Sequence, residues 1–418
     1  MTDADIEAEV AALLDRLFRD QWGRLLSIVI GQTGDIELAE ECVQEAFTQA
    51  LDRWAEAGIP DSPQGWLVTT ARRRAVDRIR RARVGRDKLR TIAATEPAQV
   101  EDLDQDQLDS AIGDERLRLL FTCCHPALSI ESQAALALRT LLGLSVAEIA
   151  RGFGVGEAAM AKRLTRTKLK IRDAGIPYRV PPAAQLTERT GGVLGAIYLL
   201  SNEGYAATAG DQLTRSEFLD EALRLADLVA DLMPDDPEVI GLQSLLILHR
   251  ARGASRTSSD GMLIPLEEQD RSRWDRTLIN DGLRRLVGAG RRDQLGPYQL
   301  QAMIAGGHLI AERPSDTDWA RIVILYDALL RIAPSPSVRL NRIVAIAMRD
   351  GPDSGLRMLD EAAREDLPQN HLLAATRADL LRRLGRRQQA EEQYRKAIAL
   401  TANDGERRYL LRRISELG

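Results

Sequence analysis

In the C-terminal half, Tyr326 and Tyr394 stand twice 34 residues apart, while Pro334 and Pro368, and likewise Gly351 and Gly385, are separated by 34. A spacing kept by three residue types is a structural repeat. A unit of that length holds two helices, which cannot bury their apolar faces alone and must stack on neighbours. Units started at 303, 337 and 371 place Ile310, Val344 and Ala378 at the eighth position and Leu329, Ala363 and Ala397 at the twenty-seventh. The best unit runs from His371 to Asp404, with Ala378, Leu381, Gly385, Ala390, Tyr394 and Ala397 in register. A half-match at Ala222, Ala226, Val229 and Pro234 starts the stacking earlier. Generic helical hairpins are the alternative.

Elsewhere no segment alternates as a strand would, so an all-α chain is expected. Four segments separate by composition. Residues 5–90 read as helices broken at Gly31–Gly34 and Gly58–Gly65, residues 91–108 as an acidic linker without apolar periodicity, residues 109–175 as helices again, and residues 183–418 as the helical extension. The start, MTDADIEAEV, lacks the basic and apolar regions of a secretion signal, and the longest apolar run, Gly192–Leu200, is too short to span a bilayer. A cytoplasmic protein without membrane contact is expected. Three cysteines cannot close a disulfide framework. No Gly-rich phosphate loop, paired-histidine spacing or Ser/His/Asp set stands out, so neither an enzyme, a cofactor nor a metal site is expected.

Residues 144–171 carry a sharper signal. Ser145 with Glu148 three residues on forms a capping box, and Gly154–Gly156 permits a tight turn. The helix that follows sets Met160, Leu164, Thr167 and Ile171 on an inward stripe and leaves Ala158, Lys162, Thr165 and Arg166 opposite, with Glu157 in the first turn and Arg163 and Lys168 on the flanks. A short helix, a turn and a longer basic helix make a helix-turn-helix, whose second helix fits the DNA major groove. Lys162 and Arg166 could reach base edges or phosphates, whereas Arg163 and Lys168 suit backbone phosphates. A plain helical hairpin remains the alternative.

The first segment adds a pair of opposed charges. In residues 35–54, Leu38, Cys42, Val43, Ala46, Phe47, Ala50, Leu51 and Trp54 share one helical face, and Glu37, Glu40, Glu41, Gln44 and Glu45 crowd the rest. In residues 66–81, Leu67, Ala71, Ala75 and Ile79 point inward and Arg72, Arg73 and Arg80 outward. The net charge of −5 hides ten Arg and Lys against two Asp between Arg72 and Arg90. Such density suits a polyanion, although a solvated face gives the same pattern.

Together these segments resemble the second domain of an extracytoplasmic-function sigma factor, the promoter-specificity subunit of bacterial RNA polymerase. Residues 39–45, AEECVQE, are similar to its Ala-Glu-Asp followed by Gln-Glu, and residues 65–81, GWLVTTARRRAVDRIRR, to its Trp-Leu, Ala-Arg and Asp-Arg-hydrophobic-Arg signature. The helix-turn-helix resembles the fourth sigma domain, and the acidic linker lies between them, so the resemblance covers about 175 residues. It implies that Asp35, Glu40, Glu41, Gln44 and Glu45 grip core RNA polymerase, whose clamp and flap are the expected docking sites. It implies that the loop at Asp61 and Ser62, with Trp66, Arg72, Arg73, Arg78 and Arg80, opens and reads the −10 element of promoter DNA. The helix carrying Glu157, Lys162, Arg163, Thr165, Arg166 and Lys168 would read the −35 element. Trp66 is open between base contact and core packing. The turn Gly152–Gly156 is richer in glycine than the family's usual one, and the recognition helix presents Ala-Ala-Met where many members carry bulkier polar groups.

The 34-residue period resembles tetratricopeptide repeats, and a subgroup of these sigma factors joins such repeats to the fourth domain. The string Tyr198–Tyr205, YLLSNEGY, is one of its signatures. Asn202, Glu203 and Tyr205 are either an interdomain contact patch or buried helix-terminal hydrogen-bonding groups. The repeats offer a concave face to a protein or peptide regulator. A helix-turn-helix regulator with a repeat sensor, which does not replace sigma, is the rival; the acidic and arginine-rich helices of residues 35–81 speak against it. The string Phe121-Thr-Cys-Cys-His-Pro126 also marks the subgroup. Adjacent cysteines lack the spacing of zinc ligands, so packing is expected of them, with thiol sensing through Cys123 as the lesser alternative.

Overall fold

The computed structural model describes residues 3–87, 115–153, 155–205, 216–259, 261–290, 295–365 and 367–418. The acidic linker 91–108 lies outside the described residues. Among the described residues the chain is helical, with a single bridge between Thr257 and Leu263 as its extended pairing. It forms two compact units, residues 1–196 and 197–418. The division falls inside a helix, whose first half packs with the front unit: Gly192 lies against Gln133 so closely that an added Cβ would sit 2.4 Å from Oε1.

The first unit opens with α1 (Asp3–Thr33), α2 (Ile36–Ala57) and α3 (Pro63–Asp87), packed on one another. The second helical group follows as α4 (115–123), α5 (Ile130–Leu142), α6 (Val146–Gly152) and α7 (Glu157–Asp173), and then the first half of α8 (Ala183–Tyr205). Local chemistry sets the boundaries. Asp35 caps α2 by accepting from the amides of Glu37 and Leu38, and Ser129 caps α5 by accepting from Ser132. Ser145 and Glu148 make the expected capping box on α6. The inward stripe of α7 is Met160, Leu164, Thr167 and Ile171, all buried. On α2 one expected core residue faces out: Leu51 is 46 % exposed, and Ala39 and Glu40 are buried instead.

The second unit comprises α9 (Ser216–Leu232), α10 (Pro237–Ala251), α11 (Arg276–Ala289), α12 (Pro297–Ile310), α13 (Trp319–Ile332), α14 (Pro336–Asp350), α15 (Pro352–Glu365), α16 (His371–Arg383), α17 (Arg387–Leu400) and α18 (Asp404–Ser415). First helices of successive hairpins start at Pro336, His371 and Asp404, second helices at Trp319, Pro352 and Arg387. That recurrence is the expected hairpin period. Gly351 and Gly385 adopt φ of 97° and 73° at the turns within two of these hairpins, which is why glycine recurs there. Ala378, Ala390, Tyr394 and Ala397 are buried between neighbouring helices. The register fails at its first unit: α12 ends at Ile310, which is 61 % exposed rather than buried at an eighth position.

Candidate nucleic-acid and polymerase interface

The acidic face of α2 splits in three. Gln44 and Glu41 are exposed, and Glu45 is half-buried; Arg78 of α3 donates to both Glu41 and Glu45. Asp35 spends its carboxylate on the helix cap. Glu40 is 8 % exposed and faces away from Arg78, toward the other helical group.

On α3 the start is fixed by Ser62, whose hydroxyl accepts from the Gly65 amide at 3.3 Å, with Pro63 in the first helical position. Asp61 and Ser62 stand exposed before it. Trp66 is partly packed. It meets Trp54 edge-on with ring centroids 5.4 Å apart, and it remains half-buried rather than sealed. Arg73 and Arg80 are exposed and Arg72 half-buried, so the outward arginine face exists. Arg78, tied to α2, links that face to the acidic one instead of standing free.

On α7 the side opposite the buried stripe carries Glu157, Ala158, Lys162, Thr165 and Arg166, all exposed. Thr165 returns its hydroxyl hydrogen to the Ala161 carbonyl at 3.0 Å. Arg163 lies over the Phe153 ring, 5.8 Å from its centroid, which holds the guanidinium at the edge of the turn. Lys168 does not project to solvent. Its ammonium sits 2.5 Å from Glu40 Oε2, and Arg139 of α5 approaches the other carboxylate oxygen at 3.8 Å.

This ion cluster belongs to a built contact between the two helical groups. Trp22 of α1 is fully buried and donates to the Arg139 carbonyl at 3.1 Å. Gly143, in the left-handed region at φ 66°, ends α5 against the Trp22 ring, where a Cβ would meet a ring carbon at 2.7 Å. Gly23 approaches the Leu141 carbonyl so closely that a Cβ would lie 2.0 Å from its oxygen. The Tyr178 hydroxyl reaches the Ser27 and Glu115 carbonyls at 3.0 and 2.8 Å, and burial pushes its pKa up. The sequence pattern gave no sign of this contact, because its partners lie more than a hundred residues apart.

The cysteine pair is buried in the same unit. Cys123 lies 3.3 Å from the Thr140 hydroxyl, and burial pushes its thiol up to about 12 and that of Cys124 well above the usual value. Burial of both side chains fits the packing role. Among the described residues no group of three or more His, Cys, Asp or Glu is placed to hold a metal ion, and no helix is long and apolar enough to cross a membrane. Of the three residues expected at an interdomain patch, Asn202 is half-buried in the second unit, and the side chains of Glu203 and Tyr205 lie outside the described residues.

Residues 17–84 match Sigma-70 region 2, and residues 118–171 match Sigma-70 region 4. Over 156 residues the chain is 33 % identical to the ECF RNA polymerase sigma factor SigK of Mycobacterium tuberculosis, covering 36 % of this chain and 75 % of that protein. The chain belongs to the extracytoplasmic-function sigma factors. The probable ECF RNA polymerase sigma factor SigI of the same organism is 28 % identical over 159 residues, 38 % of this sigma factor and 54 % of SigI. Residues 189–290 match a family of unknown function, DUF6596. Uncharacterized protein R00370 of Rhizobium meliloti is 42 % identical over 390 residues, 92 % of this sigma factor and 90 % of that protein, so this likeness runs through both units.

Proposed function

We propose that this sigma factor holds core polymerase through the exposed part of α2, centred on Gln44, Glu41 and Glu45, reads the −10 element with the loop at Asp61 and Ser62 and the arginine face of α3, and reads the −35 element with α7. The observation that carries the reading is the α7 surface: a buried, mainly apolar stripe forces Lys162, Thr165 and Arg166 outward together, as a groove-reading helix requires. The helical extension, whose hairpin period supports a tetratricopeptide-like reading, modulates this activity, with a protein or peptide regulator as its expected partner.

Promoter binding demands a change of arrangement. The two elements are separate sites along the duplex, which rises about 3.4 Å per base pair. A compact unit of this length is on the order of 40 Å across. With α1 against α5 and Lys168 on Glu40, α3 and α7 are held within one compact unit, so on this reading the packed form is the resting one and the clasp opens on polymerase. The test is association with core polymerase and run-off transcription from a cognate promoter. Gln44→Lys, at an exposed position outside the Arg78 pairs, should weaken core binding by about tenfold or more while leaving thermal unfolding unchanged; a full chain that never associates with core removes the proposal. A chain ended after Ala196, which preserves the packed half of α8, reads whether the extension activates or restrains.

A further inference from the structure

Between α10 and α11 the chain takes a long excursion, residues 254–273, that reaches the far end of the second unit. Glu267 accepts from Arg383 of α16 at 2.8 Å, and Glu268 pairs with Arg412 at 2.7 Å and with Arg413, both on α18. The Gly261 carbonyl accepts from Arg408 at 3.2 Å. The segment also has an interior of its own, where the Trp274 indole donates to Ser255 Oγ at 2.8 Å and Gln269 donates to the Ile264 carbonyl at 2.9 Å. It is a built strap.

The strap forms one wall of a chamber of about 1240 Å³, whose other walls come from α8, α10, α12, α13, α14, α16 and α18. That exceeds the roughly 300–1,000 Å³ of ordinary small-ligand sites, so a ligand and some water fit together. Tyr198, Trp319 and Tyr326, with Leu309 and Val344, give it an aromatic and aliphatic side. Its charge is biased. Three guanidiniums, Arg252, Arg271 and Arg383, line it against two carboxylates, Glu267 and Asp379, and both carboxylates are ion-paired to Arg383. Arg271 is held rigidly, donating to the carbonyls of His308 at 3.1 Å and Ala311 at 2.5 Å and lying over the Trp274 ring. The N-terminal turn of α14, through Ser335, Ser337 and Val338, also faces the chamber and adds the positive end of a fifteen-residue helix. His249 and His308 line it as neutral imidazoles, lowered by burial and by the charge of Arg252.

We infer that this chamber is a binding site for a small organic anion with an aromatic or otherwise apolar body, seated between the strap, the aromatic wall and the start of α14. This deepens the proposed modulatory role of the extension and rests on it for its use in transcription; binding itself does not depend on the sigma activity, so the two can fail separately. The probes are naphthoate and its neutral amide, naphthamide, titrated calorimetrically into the full chain. Naphthoate should bind at one site about tenfold tighter than the amide. Ser337→Asp, which places a carboxylate where helices favour one, should leave thermal unfolding unchanged and weaken naphthoate by about tenfold without affecting the amide. Val344→Trp, which fills the chamber, should abolish both. Equal affinity for the two probes, uptake of neither, or naphthoate binding indifferent to Ser337→Asp would each overturn the inference.

Discussion

The contact between the two helical groups of the first unit and the strap of the second unit both join distant parts of the chain, but by different physics. In the first unit the surfaces meet through glycines: Gly23 and Gly143 bring backbone against the Leu141 carbonyl and the Trp22 ring, with no room for a methyl group. One acid, Glu40, faces two cations at the edge. In the second unit the strap is held by arginine pairs on Glu267 and Glu268, largely within reach of solvent, beside a chamber lined by neutral imidazoles. The first contact is specified by shape, and salt or acid should alter it little. The second is specified by charge, and should respond to both.

Acid should separate the two units most. Burial and the nearby charges of Arg252, Arg256 and Arg271 push His249 down to about 3 and His308 down to about 4. Their unfolded value is about 6.5, so between these limits the unfolded chain takes up protons that the folded unit rejects. The stability contribution is therefore fully present above about pH 6.5 and is lost as pH falls toward 4, by about 3 kcal/mol for His249 at that point and less for His308. The first unit holds one histidine, His125, also lowered by burial, and should fall less steeply. Calorimetry at pH 7 and pH 5 should show the transition of the second unit moving down further than that of the first. Equal displacement of both transitions would contradict the charge-based view.

Gly143→Val attacks the shape-based contact. It places a β-branched residue at φ 66° and a Cβ 2.7 Å from the Trp22 ring. Strain and overpacking together should cost on the order of 3 kcal/mol. The loss should appear as a lowered first-unit transition at unchanged helix content, with the second unit unmoved. A variant that unfolds like the parent would mean that the Trp22 contact yields easily.

What could be read in advance follows from where the information lies. The α7 stripe and its exposed opposite side came directly from the helical period, because every residue in the argument sits on one helix. The hairpin period came from glycines that the turns require at positive φ, yet it misplaced Ile310, since α12 starts six residues before the assumed unit at 303. Glu40 looked like the other acids of α2; its burial is decided by Lys168 and Arg139, which no local pattern connects to it. Leu51 stood in the apolar stripe and faces out because the groups packed on α2 cover Ala39 and Glu40 instead. The chamber was illegible for the same reason, its lining being gathered from seven helices and a strap with no common spacing.

Glu40→Gln tests the ion cluster at the edge of the shape-based contact, with a smaller expected effect. The substitution keeps the size of the side chain and removes its charge, leaving the Lys168 ammonium, 16 % exposed, without its carboxylate. The loss should be about 1–3 kcal/mol, below that of a fully dry pair because the side chains keep some contact with water. A double-mutant cycle with Lys168→Met separates the clasp from other roles of either residue. Coupled residues should give an interaction energy of about 1 kcal/mol or more, while additive losses would mean that Glu40 is stabilised by Arg139 and its own helix alone. The same pair of variants bears on opening. If the clasp holds α7 against α2, Lys168→Met should loosen it and raise association with core polymerase, whereas the loss of a phosphate contact by the same lysine would show only as a shallower salt dependence of promoter binding, by about one unit of slope. A variant that gains core association and keeps the parental salt slope assigns Lys168 to the clasp; one that does the reverse assigns it to DNA.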